Sequence, residues 1–152
     1  MASDAQAGRG DRPVLNQVNL VVSDMEAAVA FYRRLGLEIP DTDAKFQQHH
    51  RNAVLPGDVD LDLDSHAFAR HWFPGWRGGM GVIGFHVEER GRVDALYAEL
   101  TGCGYAGPLP PHDAFWGARY AIVLDPDGNA VGIMSGIDPA RRHPDGFTPR
   151  PG

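Results

Sequence analysis

Four carboxylates, Asp58, Asp60, Asp62 and Asp64, alternate with Val59, Leu61 and Leu63. In an extended chain every second side chain shares a face, so the run is a strand with one acidic and one apolar side. If the apolar side packs beneath helices, the carboxylates line an interior surface that suits a cationic ligand. Otherwise they form a solvated face. Histidines at 49, 50, 66 and 71 add groups that titrate near neutral pH and ligate metals, so a general base or a metal centre is the chemistry to weigh. Adjacent or irregularly spaced loop histidines are more often simply exposed. All three tryptophans fall in HWFPGWRGG (71–79) and DAFWGARY (113–120). Trp72, Phe73, Trp76, Phe115 and Trp116 either plug an open end of a sheet or line a pocket for a flat, partly apolar molecule.

Those residues need a scaffold, and the sequence repeats one. LNQVNLVV (15–22) followed by SDMEAAVAFYRRLG (23–36) is a strand and then a helix, with Ser23 or Asp24 as N-cap and Gly36 as the stop. Met25, Val29, Tyr32 and Leu35 give that helix one apolar face. GVIGFHVEERGRVDALYAELTGCG (81–104) returns the same pattern at an offset of 65 residues, matching Val18 with Ile83, Leu20 with Phe85, Val22 with Val87, Tyr32 with Tyr97 and Leu35 with Leu100. After the first helix, EIPDTD, AKFQQHHRNAVLPG and DVDLDLDS are expected as strands. After the second, AGPLPPHDAFWG, RYAIVLD and NAVGIMS are expected, with a tight hairpin at DPDGN (125–129).

The expected fold is therefore α+β, two βαβββ modules over 15–65 and 80–136, joined by HAFARHWFPGWRGG (66–79) as a linker. Residues 14–136 make one domain, and 1–13 and 137–152 read as polar, Pro- and Gly-rich tails. At 152 residues and 43% hydrophobic content the chain can bury one core. A net charge of −6 without any Lys/Arg-rich run argues against nucleic acid. No apolar run reaches the roughly 20 residues of a membrane span. Cys103 is the single cysteine, which excludes an internal disulfide, and the first residues lack the apolar stretch of a secretion signal, so a cytoplasmic location is expected. No nucleophile elbow, P-loop or dinucleotide fingerprint is present.

The strand, the SDMEAAVAFYRRLGLEI helix and the closing DPDGNAVGIM strand together resemble the vicinal oxygen chelate superfamily, which includes glyoxalase I, extradiol dioxygenases and the fosfomycin- and bleomycin-resistance proteins. The resemblance covers about 120 residues and implies a cup-shaped mixed sheet with the helices outside. In metal-dependent members four strand positions carry ligands. Carried over, these fall on Gln17 and Asp62, which can ligate, and on Val82 and a position near Gly132, which cannot. His86 has the wrong parity to replace Val82. Two donors are too few for a catalytic divalent ion, so neither a metal nor another cofactor is expected, with weak binding through Gln17 and Asp62 left open.

FWGARYAIVLDPDGNAV is similar to the Trp-Gly-Arg and Asp-Pro-x-Gly-Asn run of bleomycin-resistance proteins. This resemblance implies a homodimer with a drug-binding crevice that includes Phe115 and Trp116. The expected ligand-binding set is Gln17, Phe46, His49, Asp60, Asp62, Trp72, Phe73, Trp76, Phe115, Trp116 and Arg119. The expected activity is metal-independent binding of an antibiotic or natural product, cationic or aromatic, for sequestration or self-resistance. The alternatives are a metal-dependent glyoxalase, lyase or dioxygenase, and a metal-free enzyme using Asp62, His49 or His50 as a general base.

Overall fold

The computed structural model describes residues 12–34, 37–79, 81–126 and 128–147. Its described residues group into a first unit, within 16–83 together with Phe147, and a second, 12–15 with the described part of 84–146. Seven strands and three α-helices among the described residues make a mixed α+β protein.

In the first unit β1 (Val14–Val22) leads into α1 (Met25–Arg34), and β2 (His50–Ala53) and β3 (Asp60–Ser65) follow. Asp24 caps α1 by accepting the Ala27 amide at 3.0 Å. Gly36, the expected stop, and Leu35 lie outside the described residues. β3 is the central strand, parallel to β1 and antiparallel to β2. Leu61 and Leu63 of β3 and Leu20 and Val22 of β1 pack with Met25 and Val29 of α1. Helix and sheet therefore share one apolar core, and the alternate residues of all three strands turn to the opposite face.

Three segments depart from expectation. EIPDTD forms only an isolated bridge, Glu38 to Val54. Its carbonyls are taken by guanidinium groups instead of a ladder: Arg33 donates to the Ile39 oxygen, and Arg51 donates to the Pro40 oxygen at 3.0 and 3.2 Å. Residues 44–49 form turns, with the His50 amide bonded to the Phe46 carbonyl, so the strand expected there begins only at His50. The expected linker contains a helix, α2 (His66–Trp72), capped by the Ser65 hydroxyl on the Phe68 amide at 3.1 Å and burying Phe68, Ala69 and Trp72.

In the second unit the strand order is β4-β7-β6-β5, from β4 (Gly81–His86), β5 (Leu109–Asp113), β6 (Arg119–Leu124) and β7 (Ala130–Met134), with α3 (Arg90–Gly102) after β4. Val87, Val93, Ala121, Val123 and Ile133 form its core, with Tyr97 and Leu100 against them, and Val87 and Tyr97 stand where the repeat places Val22 and Tyr32 of the first unit. The repeat is imperfect on its surface, since Ile83 is exposed where its counterpart Val18 is half-buried. β5 carries two prolines, which an edge strand tolerates. The hairpin at 125–129 closes as expected: the Asp125 carboxylate accepts the Asn129 amide and side-chain nitrogen at 2.8 Å each.

Candidate functional site

The face of β1, β2 and β3 turned away from α1 is polar, and hydrogen bonds organise it into two groups. Asp64 is fully buried and accepts three donors: Asn19 Nδ2 at 2.9 Å, His50 Nδ1 at 2.6 Å and Trp72 Nε1 at 3.1 Å. Asp62, only 4% exposed, accepts Gln17 Nε2 at 2.6 Å and Asn52 Nδ2. Cross-strand register sets this arrangement, because His50 lies opposite Asp64 and Asn52 opposite Asp62. One N–H of each of the Gln17 and Asn52 amides goes to Asp62, and their oxygens remain as acceptors.

Burial pushes the Asp62 carboxyl up to about 6, and the charges of Asp64 and Asp60 add to this against the opposing pull of His50 and the Asn52 hydrogen bond. Burial also disfavours the His50 imidazolium, but the hydrogen bond and charge of Asp64 outweigh it, so the pKa of His50 is raised. Above pH 6 the folded chain carries a buried Asp62 charge that it accommodates poorly. A rise from 3.8 to about 6 opposes folding by about 3 kcal/mol once both states are ionised. A group held at such a cost is a mark of a functional site.

The expected site residues divide into several settings. Gln17 and Asp62 are joined directly, with Asp60 exposed at the end of the same face. Trp72 supports Asp64 from α2, and Phe73 is buried beside it with the two rings stacked 6.4 Å apart. Phe46 and His49 wall a different feature: the Phe147 ring sits among Phe46 at 5.8 Å, Phe68 at 4.8 Å, His49 at 5.4 Å and His71 at 5.2 Å. Phe147 is 2% exposed, a buried aromatic in a segment that composition marks as tail. His49 Nδ1 is within 2.9 Å of the Ser65 hydroxyl, and desolvation lowers its pKa. Trp76 packs on His66 and under Arg70, and its buried Nε1 lacks an acceptor.

In the second unit Phe115, Trp116 and Tyr120 form a chain of edge-on rings at 5.2 and 5.3 Å, and Trp116 Nε1 donates to the Met134 sulfur at 3.2 Å. Arg119 is held in ion pairs, bidentate to Asp94 at 2.7 and 3.1 Å and bonded to Asp113 at 3.2 Å. Asn19 and Asn52 were missed from sequence. The signal was present, since Asn19 continues the parity of Gln17, and Asn52 that of His50.

The residues present do not fit the family's metal. Val82 is buried hydrocarbon, and at Gly132 even a Cβ would stand 2.8 Å from the Tyr120 hydroxyl, which fills the space a ligand carboxylate needs. Among the described residues no three His, Cys, Asp or Glu side chains gather to hold an ion.

Residues 14–133 match the family model described as the Glyoxalase/Bleomycin resistance protein/Dioxygenase superfamily. Solved structures of similar fold include methylmalonyl-CoA epimerase from Mycobacterium tuberculosis, 16% identical over 82% of this chain and 88% of that one with a TM-score of 0.56. A hypothetical protein from Bacillus halodurans C-125 is 17% identical over 83% of this chain and 96% of that one, TM-score 0.60. The Mn(II)-bound glyoxalase from Novosphingobium aromaticivorans is 23% identical over 80% of this chain and 38% of that one, TM-score 0.57. No curated protein matches the chain. Among the described residues no helix is long and apolar enough to cross a membrane.

Proposed function

The chain belongs to the glyoxalase/bleomycin resistance protein/dioxygenase superfamily, and from that premise we propose that it binds a small natural product or antibiotic without a metal, sequestering it as a cytoplasmic homodimer. The observation that carries this reading is the bond from Gln17 Nε2 to Asp62 Oδ2 at 2.6 Å. An ion would require both side chains to aim oxygens at it, whereas Gln17 turns its NH2 on Asp62, and the remaining family positions are Val82 and Gly132. The face is instead built of acceptors, Asp62 with the oxygens of Gln17 and Asn52, and its one basic partner, His50, is already engaged by Asp64. Such a surface favours a ligand that brings N–H donors or positive charge. Trp76, in the same unit as this face, supplies an apolar, flat surface of the kind small-molecule sites use.

Titrating the protein with a cationic aromatic drug such as bleomycin tests this by tryptophan fluorescence. Saturable quenching is expected, lost or weakened at least about tenfold in Trp76→Ala and Asp62→Asn. Unchanged quenching in both variants, or none in the wild type, would overturn the reading.

A further inference from the structure

Phe147 sits in a box of four rings. Phe46 stacks on it, 22° from parallel at 5.8 Å, while Phe68, His49 and His71 meet it nearer to edge-on at 4.8, 5.4 and 5.2 Å. Stacked and edge-on rings at such separations attract beyond the burial of their area, so the walls are matched to a single six-membered ring. His71 is exposed and Phe46 and His49 are half-buried, so the walls reach the surface, and Phe147, 2% exposed, fills the space between them. The walls come from the turn before β2 and from α2, which also deliver His50 and Trp72 to Asp64. Phe68 is shared between the box and the polar face, with its ring 4.8 Å from Phe147 and 4.9 Å from His50.

Between Asp138 and Gly152 the sequence holds no Val, Leu, Ile or Met and no aromatic residue besides Phe147. One ring therefore carries the apolar docking of this segment, and a ring of the same size on another molecule competes for the same contacts. The walls also select the charge of that ring. Lys45 Nζ stands 5.7 Å from the Phe46 centroid, and desolvation lowers the His49 pKa, so the box disfavours positive charge and suits a neutral ring.

We propose that this box is the aromatic subsite of the ligand face, that Phe147 is its resident plug, and that the ligand is an arylalkylamine, whose neutral phenyl-sized ring displaces Phe147 while its amine turns to the acceptors around Asp62. The proposal deepens the metal-free binding reading and rests on it. Because Phe147 must leave first, the affinity observed in the wild type is the intrinsic affinity reduced by the fraction of open box. Removing the plug removes that reduction.

Fluorine NMR of protein labelled with para-fluorophenylalanine tests this, with Phe147→Leu identifying the Phe147 signal. The probes are 4-phenylbutylamine and butylamine, which keeps the charge and lacks the ring. In the wild type 4-phenylbutylamine is expected to move the Phe147 signal saturably toward the position of the free amino acid, and butylamine to leave it in place. By calorimetry 4-phenylbutylamine should bind Phe147→Ala at least about tenfold more tightly than wild type. Should the alanine variant not fold, Phe147→Leu keeps an apolar filler and should still bind about threefold more tightly. A Phe147 signal that stays fixed in the wild type, or that butylamine moves equally, overturns the proposal, as does wild-type affinity in the folded variants. Binding confined to Phe147→Ala with a fixed wild-type signal is an artificial cavity and overturns it too. Bleomycin quenching beside a fixed Phe147 signal removes the plug and leaves the binding reading in place, whereas displacement without quenching keeps the subsite and removes the antibiotic.

Discussion

Asp64→Ala is expected to destabilise the protein by about 3–5 kcal/mol, the usual effect of removing one partner from a buried charge pair. Asp64 is fully buried and is the common acceptor for Asn19, His50 and Trp72, which come from three different elements. Alanine would leave two buried donors and an imidazole facing a void, and each orphaned donor costs about 1–3 kcal/mol. Asp58 and Asp60 share the acidic row but are exposed, so Asp60→Ala should stay within about 0.5 kcal/mol of wild type. Urea unfolding of both variants measures the contrast. Equal midpoints would mean that Asp64 is solvated and that the face is not the site described.

A comparable loss, about 3–5 kcal/mol, is expected for Phe147→Ala, as for other large aromatics deleted from a core. Four rings surround Phe147, and removing it opens Phe46, His49, Phe68 and His71 to a common cavity. If residues 137–152 were a tail, the substitution would be silent in thermal and urea unfolding.

These two residues mark where sequence reasoning succeeded and where it stopped. The DVDLDLDS alternation, with the 65-residue repeat, was enough to identify a strand with one apolar and one acidic side, and Leu61 and Leu63 do pack beneath α1. Periodicity is local and survives any tertiary arrangement. It could not show that Asp64 is tied down while Asp62 is left poorly compensated, because their partners lie 45 residues away in β1 and on β2 and α2. Phe147 was invisible for the same reason: its pocket exists only once residues 46–71 have folded. α2 was read as part of a linker, although Ser65 followed by Phe68, Ala69 and Trp72 is a cap and an apolar helical face. The strand expected at EIPDTD failed because Arg33 and Arg51 capture its carbonyls, a competition no propensity records.

Binding without metal is the central claim, and calorimetric titration of bleomycin into protein purified without chelator, after EDTA treatment and after incubation with manganese, nickel, zinc or iron(II), tests it most directly. The account predicts the same affinity and stoichiometry in every condition, with metal at trace levels by elemental mass spectrometry. Stoichiometric tight metal, or binding that appears only when an ion is added, would contradict it.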